Sequence, residues 1–231
     1  MSWWVVAATG FAATVVVVVS VSEVVTGRRR VARYATALST LAHEGGHALV
    51  AVVTGGEVHS VHVFDPHSGV TYFNWLPSRF SGILTSAAGY AAPPLLGLGI
   101  AVLIEQGKTN VVLILTVACA AALLLLTRDL ITLGTVLTVG GIAFVTVCWG
   151  TELIQAMVAC LEAWLLLLGE LSGLLHLVRQ RIIGYRTGET VEDDATALAD
   201  LTFIPGPVWI LGWAVLNAWA VLAAVPLLWP G

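Results

Sequence analysis

Charge is what this sequence has least of. Of its 231 residues only 10% are Asp, Glu, Lys or Arg, against 58% hydrophobic, and the mean hydropathy is +0.93. An ordinary soluble domain carries about 25% charged residues, so a water-solvated surface is excluded and the solvent is a bilayer. The few charges, with a formal net of −4, stand in short clusters between apolar stretches. No basic face or tail of the kind that binds nucleic acid is present. Cysteine is also scarce: Cys119, Cys148 and Cys160 lie in separate apolar runs without metal-ligand spacing. They read as buried small apolar residues and indicate no redox compartment. A signal-peptide cleavage site is missing too. The first apolar run, residues 3–25, ends in Gly27-Arg28-Arg29-Arg30 rather than small residues, and a retained helix is expected.

What the chain does have is a series of apolar runs, each near the roughly 20 residues a spanning helix needs. After the first come residues 31–54, 81–104 (interrupted by Pro93-Pro94), 111–127, 130–149 and 153–178. A polar segment over 179–194 precedes the last, 198–229. The expected fold is mainly α, a polytopic membrane protein with six or seven transmembrane helices. It forms a single integral membrane domain over 1–231: a first helix and basic loop (1–30), a core segment (31–149) and C-terminal helices (150–231). The positive-inside rule assigns both Arg28 to Arg30 and Arg179, Arg181 and Arg186 to the cytoplasm. Five full crossings separate the two clusters, so one run is re-entrant or broken, or one cluster disobeys. Orientation stays open.

Residues 55–75 follow a different pattern. Gly55-Gly56 precedes the β-prone Val58, Val61, Val63 and Phe64, then the turn-forming Asp65-Pro66-His67-Ser68-Gly69, then Val70-Thr71-Tyr72-Phe73. A short β-hairpin is expected. Its unpaired edges cannot face lipid, so protein or a water-filled recess must cover them.

Within the second run stands His43-Glu44-Gly45-Gly46-His47, an H-E-x-x-H pattern. Residues four apart share a helix face, so His43 and His47 can offer imidazole nitrogens to one tetrahedral ion. Glu44 points partly off that face, placed to reach a metal-bound water rather than the metal. Gly45 and Gly46 each cost a helix about 0.5–1 kcal/mol relative to alanine, and leave room for another backbone or a substrate. The pattern also arises by chance among surface histidines. Here three ionisable groups sit mid-way along an apolar helix, which is unfavourable without a partner, and a metal site is preferred to a structural polar cluster. His59 and His62 fall on opposite faces of a strand, and with His67 read as polar hairpin residues. His176 reads as an interfacial residue near the end of its helix, and the nine tryptophans as an interfacial belt.

H-E-G-G-H in a membrane helix, followed by Gly-Gly and a short hairpin, resembles the site-2 protease family of intramembrane zinc metalloproteases. The closer likeness is to its small bacterial peptidase-like branch, through "GGEVHSV…SGVT", "GYAAPPLLGL" at 89–98 and "DDATALADLTFIP" at 193–205. The likeness spans about residues 41–213. It implies peptide-bond cleavage within or beside a bacterial plasma membrane, Zn2+ as cofactor, His43 and His47 as ligands, Glu44 as general base, and a distant aspartate as third ligand. The Asp-Gly pair and Asn-Pro loop usual for that aspartate are absent. Two candidates remain. Asp194 fits the branch's Asp-Ala pattern, while Asp129 has a separation more like that in better-known members. Asp193 or Asp194 could instead be an N-cap, and Asp129 could pair with Arg128 or another buried charge. Asp194 is preferred to Asp129, with Asp65, Glu162 and Glu170 behind.

No PDZ-like module is visible, so recognition falls to the helices, the hairpin or a partner. An unwound membrane-protein substrate could add a strand to the hairpin edge, at Val70, Thr71 and Tyr72 or at residues 58–63. The lipid bilayer is a partner in any case, and a regulatory membrane partner or second copy is compatible. Two other classes compete. One is a non-proteolytic zinc-binding regulatory protein. The other is a transporter component with Glu162, Glu170, Asp129 and Arg128 along a polar path, which predicts an internal repeat; none is visible.

Overall fold

In lipid every backbone N–H and C=O must be satisfied within its own segment, and the apolar runs meet that demand as helices. The computed structural model describes residues 2–26, 37–65 and 68–229. Arg28 to Arg30, Pro66 and His67 lie outside them. The order is α1 (Trp3–Thr26), α2 (Ala37–Val53), β1 (Glu57–Asp65), β2 (Ser68–Trp75), α3 (Arg79–Glu105), α4 (Thr109–Leu126), α5 (Leu130–Trp149), α6 (Glu152–Thr187), α7 (Asp194–Thr202) and α8 (Gly206–Leu228). Among these, α1, α3, α4, α5, α6 and α8 are long and apolar enough to cross a membrane. The expected polytopic helical fold, with a hairpin after the H-E-x-x-H helix, is the one observed. One core cluster joins α1, α3, α4, α6 and α8 through small residues such as Ala101, Ala163 and Ala220, with Val112 from α4. Even the valine-rich α1 is helical, because lipid overrides the β-preference of branched side chains. Cys160 is buried, whereas Cys119 and Cys148 are exposed on α4 and α5 rather than buried as expected.

Three helix boundaries differ from the sequence reading. Pro93-Pro94 does not interrupt α3, which is continuous with both prolines buried. Proline frees only the carbonyl four residues back, and surrounding groups can satisfy it inside a helix bundle. The sixth helix does not stop at residue 178 but carries Arg179, Arg181 and Arg186 onward to Gly188, a left-handed cap at φ 75°. Charge marked the membrane boundary there, while the backbone stop came later. The last run is not one helix. Phe203 takes φ 62° and Pro205 follows, disfavouring α geometry at the intervening residue. The short α7 is thereby set apart from α8.

The hairpin is antiparallel, with Val61 opposite Thr71, His62 opposite Val70 and Val63 opposite Gly69. The outer edge of β1 is occupied. Val61 bridges to Thr127, the Val63 N–H donates to Thr132 Oγ1 at 2.7 Å, and His62 Nδ1 lies 2.9 Å from Asp129 Oδ2. Among the described residues no strand pairs with the far edge of β2, since the sheet has two strands.

Asp129 is the N-cap of α5. Its carboxylate accepts from Ile131 N, Thr132 N and Thr132 Oγ1. Burial pushes this carboxyl up, but the Thr132 and Ile131 bonds and nearby His62 hold it below its ordinary value. Asp129→Ala is expected to cost about 1–2 kcal/mol in reversible unfolding, with metal content unaltered. A variant of unchanged stability would show that the cap is idle.

Candidate metal centre

The site is assembled where α2 crosses α3. A Cβ at Gly46 would lie 2.5 Å from Ala92 Cβ and 3.0 Å from the Ala88 carbonyl, so this glycine is what lets the two backbones approach. Gly45 faces only Leu123 at ordinary contact distance. Of the two motif glycines, one is required for packing.

That crossing brings His47 Nδ1 to 2.7 Å from the Thr85 carbonyl on α3. A carbonyl only accepts, so Nδ1 carries a proton, and in the neutral ring Nε2 presents a lone pair. Glu170 of α6 stands 3.5 Å from His43 Nδ1. Asp194, the first residue of α7, completes the cluster: its Oδ2 is 3.1 Å from His43 Nε2 and 3.3 Å from His47 Nε2, and the two Nε2 atoms are 3.2 Å apart. A tetrahedral ion with ligands at about 2.0–2.1 Å separates those ligands by about 3.3 Å. Lone pairs that converge at these distances repel unless a proton or a metal cation lies between them. The donor set therefore fits a zinc-type ion.

Space is kept for it. A Cβ at Gly89 would stand 2.5 Å from His43 Nε2 and closer still to His47 Nε2. The Tyr90 ring meets His43 edge-on with centroids 4.5 Å apart. Glu44 is buried beside the histidines, and Thr71 Oγ1 donates to its Oε2 at 2.7 Å. The hairpin closes tightly over it, since a Cβ at Gly69 would lie 2.5 Å from Glu44 Oε1. A cavity of about 570 Å³ opens here, lined by His43, Glu44, His47, Thr71, Tyr90 and Asp194 among others.

Adjacent aspartates divide two tasks. Asp193 is the N-cap of α7, accepting from Thr196 N at 2.7 Å and from Arg181 at 2.6 and 2.8 Å. Asp194 is left free to face the histidines. Burial pushes its carboxyl up, but His47 and His43 hold it well below the usual carboxylate range.

The structure thus brings together His43, Glu44, His47 and Asp194, with Thr71 bonded to Glu44 and Val70 on the cavity wall. Tyr72 turns outward toward His62. The alternative aspartate, Asp129, does not join them: its carboxylate is committed to the α5 cap and to His62, not to Arg128. Glu162 is bonded by Thr116 on α4 and does not line the cavity. The side chain of Asp65 falls outside the described part. His176 is not near a helix end, because α6 continues to Thr187, and it lines the cavity beside Gln180. Of Glu162, Glu170, Arg128 and Asp129, Glu170 alone is among the residues that line this cavity. Sequence reasoning missed the contributions of Gly69, Gly89 and Tyr90. Their only signal was small or aromatic residues in the segments quoted for their family likeness.

A His-His-Asp cluster that could hold a metal ion, with a buried carboxylate beside it, in a chain with six helices able to cross a membrane, defines a multi-pass membrane protein with a candidate metallopeptidase centre. The family model described as Peptidase M50B-like matches residues 7–224, and the chain belongs to that family, within the site-2 protease group. Peptidases of this kind are in general zinc metalloproteases. No curated protein and no solved structure gave a match to this chain.

Proposed function

We propose that the protein is an intramembrane zinc metalloendopeptidase that hydrolyses a peptide bond of a membrane-protein substrate. The observation that carries this reading is the convergence of His43, His47 and Asp194, the last 151 residues from His43, next to the buried carboxylate of Glu44. His43, His47 and Asp194 would hold the ion. When bound, zinc supplies Lewis acidity, polarising a carbonyl and acidifying water. Glu44 takes the proton as the water oxygen adds to the scissile carbonyl carbon, then delivers it to the amide nitrogen as the C–N bond breaks. The Thr71 hydroxyl fixes Glu44 Oε2 for that transfer.

The open β2 edge gives the substrate a place to extend. A peptide bond inside a helix cannot reach such a centre until the helix unwinds, and a strand added along Val70, Thr71 and Tyr72 would satisfy the freed backbone groups. Proline at Val70 or Tyr72 removes an N–H from this region. Cleavage of a membrane-spanning reporter peptide in proteoliposomes should fall about tenfold or more in at least one variant, with zinc content intact. Wild-type rates in both would remove the edge from the account. The same assay tests the activity itself: chelation should stop cleavage and added zinc restore it.

A further inference from the structure

The second buried carboxylate near the centre has no role in the chemistry above. Glu170 sits on α6, 3% exposed, in an apolar helix where a carboxyl group is unfavourable without a partner. Its two oxygens face different helices. Ser39 Oγ on α2 donates to Oε2 at 2.7 Å, and Oε1 faces His43 Nδ1 at 3.5 Å. Close packing fixes this arrangement. A Cβ at Gly169 would lie 3.1 Å from Ser39 Cβ, and one at Gly173 would lie 3.2 Å from Glu170 Oε1.

We propose that Glu170 is a positioning residue, held by Ser39, that sets the ring orientation and tautomer of His43 for metal binding. The inference rests on the zinc reading above. With Oε2 accepting from Ser39, Oε1 is placed as an acceptor toward His43, which favours the proton on His43 Nδ1 and leaves the Nε2 lone pair toward Asp194 and His47. His47 obtains the same orientation from the neutral Thr85 carbonyl. The ring nitrogens of His43 instead face Asp194, His47 and Glu170, and its ring is further confined by the edge of Tyr90. The two ligands of one helix are thus oriented from α3 and α6 separately. Glu162, eight residues earlier on α6, is likewise buried but bonded by Thr116, which makes it a control for loss of a buried carboxylate.

The test uses the purified full chain in detergent, with zinc affinity measured by chelator competition. Ring 15N spectra of the histidine-labelled, metal-free protein read the tautomer of His43. Glu170→Leu should weaken zinc binding about 10- to 100-fold and give a mixture of His43 tautomers. Glu170→Gln, which keeps a neutral acceptor, should restore part of both, and Ser39→Ala should lose a few-fold in affinity. Glu162→Gln should leave both readouts at wild-type values. If Glu170→Leu does not fold, Glu170→Gln and Ser39→Ala decide. Wild-type zinc affinity with His43 still protonated on Nδ1 in the Glu170 variants would overturn the role of Glu170 alone. A wild-type protein that binds no zinc would instead overturn the metal reading on which it rests.

Discussion

Glu44→Gln is expected to lower peptide cleavage by about 10²–10⁴-fold, the usual contribution of a general base, while the protein keeps its fold and metal. The substitution is close to isosteric. The Thr71 hydroxyl can still donate to the side-chain oxygen at position 44, and the tight contact with Gly69 is preserved. What disappears is the ability to take a proton from water. Because Glu44 is not among the three converging ligand atoms, zinc content should not change. A non-proteolytic zinc protein would be indifferent to the substitution. Parallel measurement of bound zinc and reporter cleavage separates the two, and cleavage within a few-fold of wild type would remove Glu44 from the chemistry.

Gly89→Ala should have a comparably large effect by a different route. On helix propensity alone alanine is better than glycine by about 1 kcal/mol, so helix formation gives no reason for loss. The added methyl group, however, would stand 2.5 Å or less from both ligand nitrogens. The histidines cannot easily retreat. His47 is bonded to the Thr85 carbonyl, one turn before Gly89 on the same helix, and Gly46 already holds α2 against α3. Zinc affinity should therefore fall by about 100-fold or more, the upper end of what disturbed ligand orientation costs, and cleavage with it. Stoichiometric zinc at wild-type affinity in this variant would show that the cluster is looser than its geometry implies.

Much of this site was legible because periodicity is local. A four-residue spacing put His43 and His47 on one helix face, turn-forming residues at 65–69 marked the hairpin, and apolar runs marked the helices. The third member of the cluster was not legible in that way. Asp194 and Asp129 each open a helix or border one, and separation along the chain carries no information about distance in space. Only the fold shows that Asp129 is spent on the α5 cap and His62, and that Asp193 takes the cap of α7 and leaves Asp194 free. Glu170 was visible as a costly residue without a target, because its partners, Ser39 and His43, lie on another helix. The boundary errors have physical causes as well. Proline breaks helices in water but is tolerated in a bundle, which hid the continuity of α3. Arginines were read as loop, although nothing stops a helix there before Gly188.

The central claim is that His43, His47 and Asp194 hold one divalent ion. Zinc per chain, measured by elemental analysis of the purified protein beside its Asp194→Ala and Asp129→Ala variants, tests it most directly. One zinc per chain is expected in the wild type and in Asp129→Ala, and none in Asp194→Ala. Zinc retained without Asp194, or absent from the wild type after zinc loading, would contradict it.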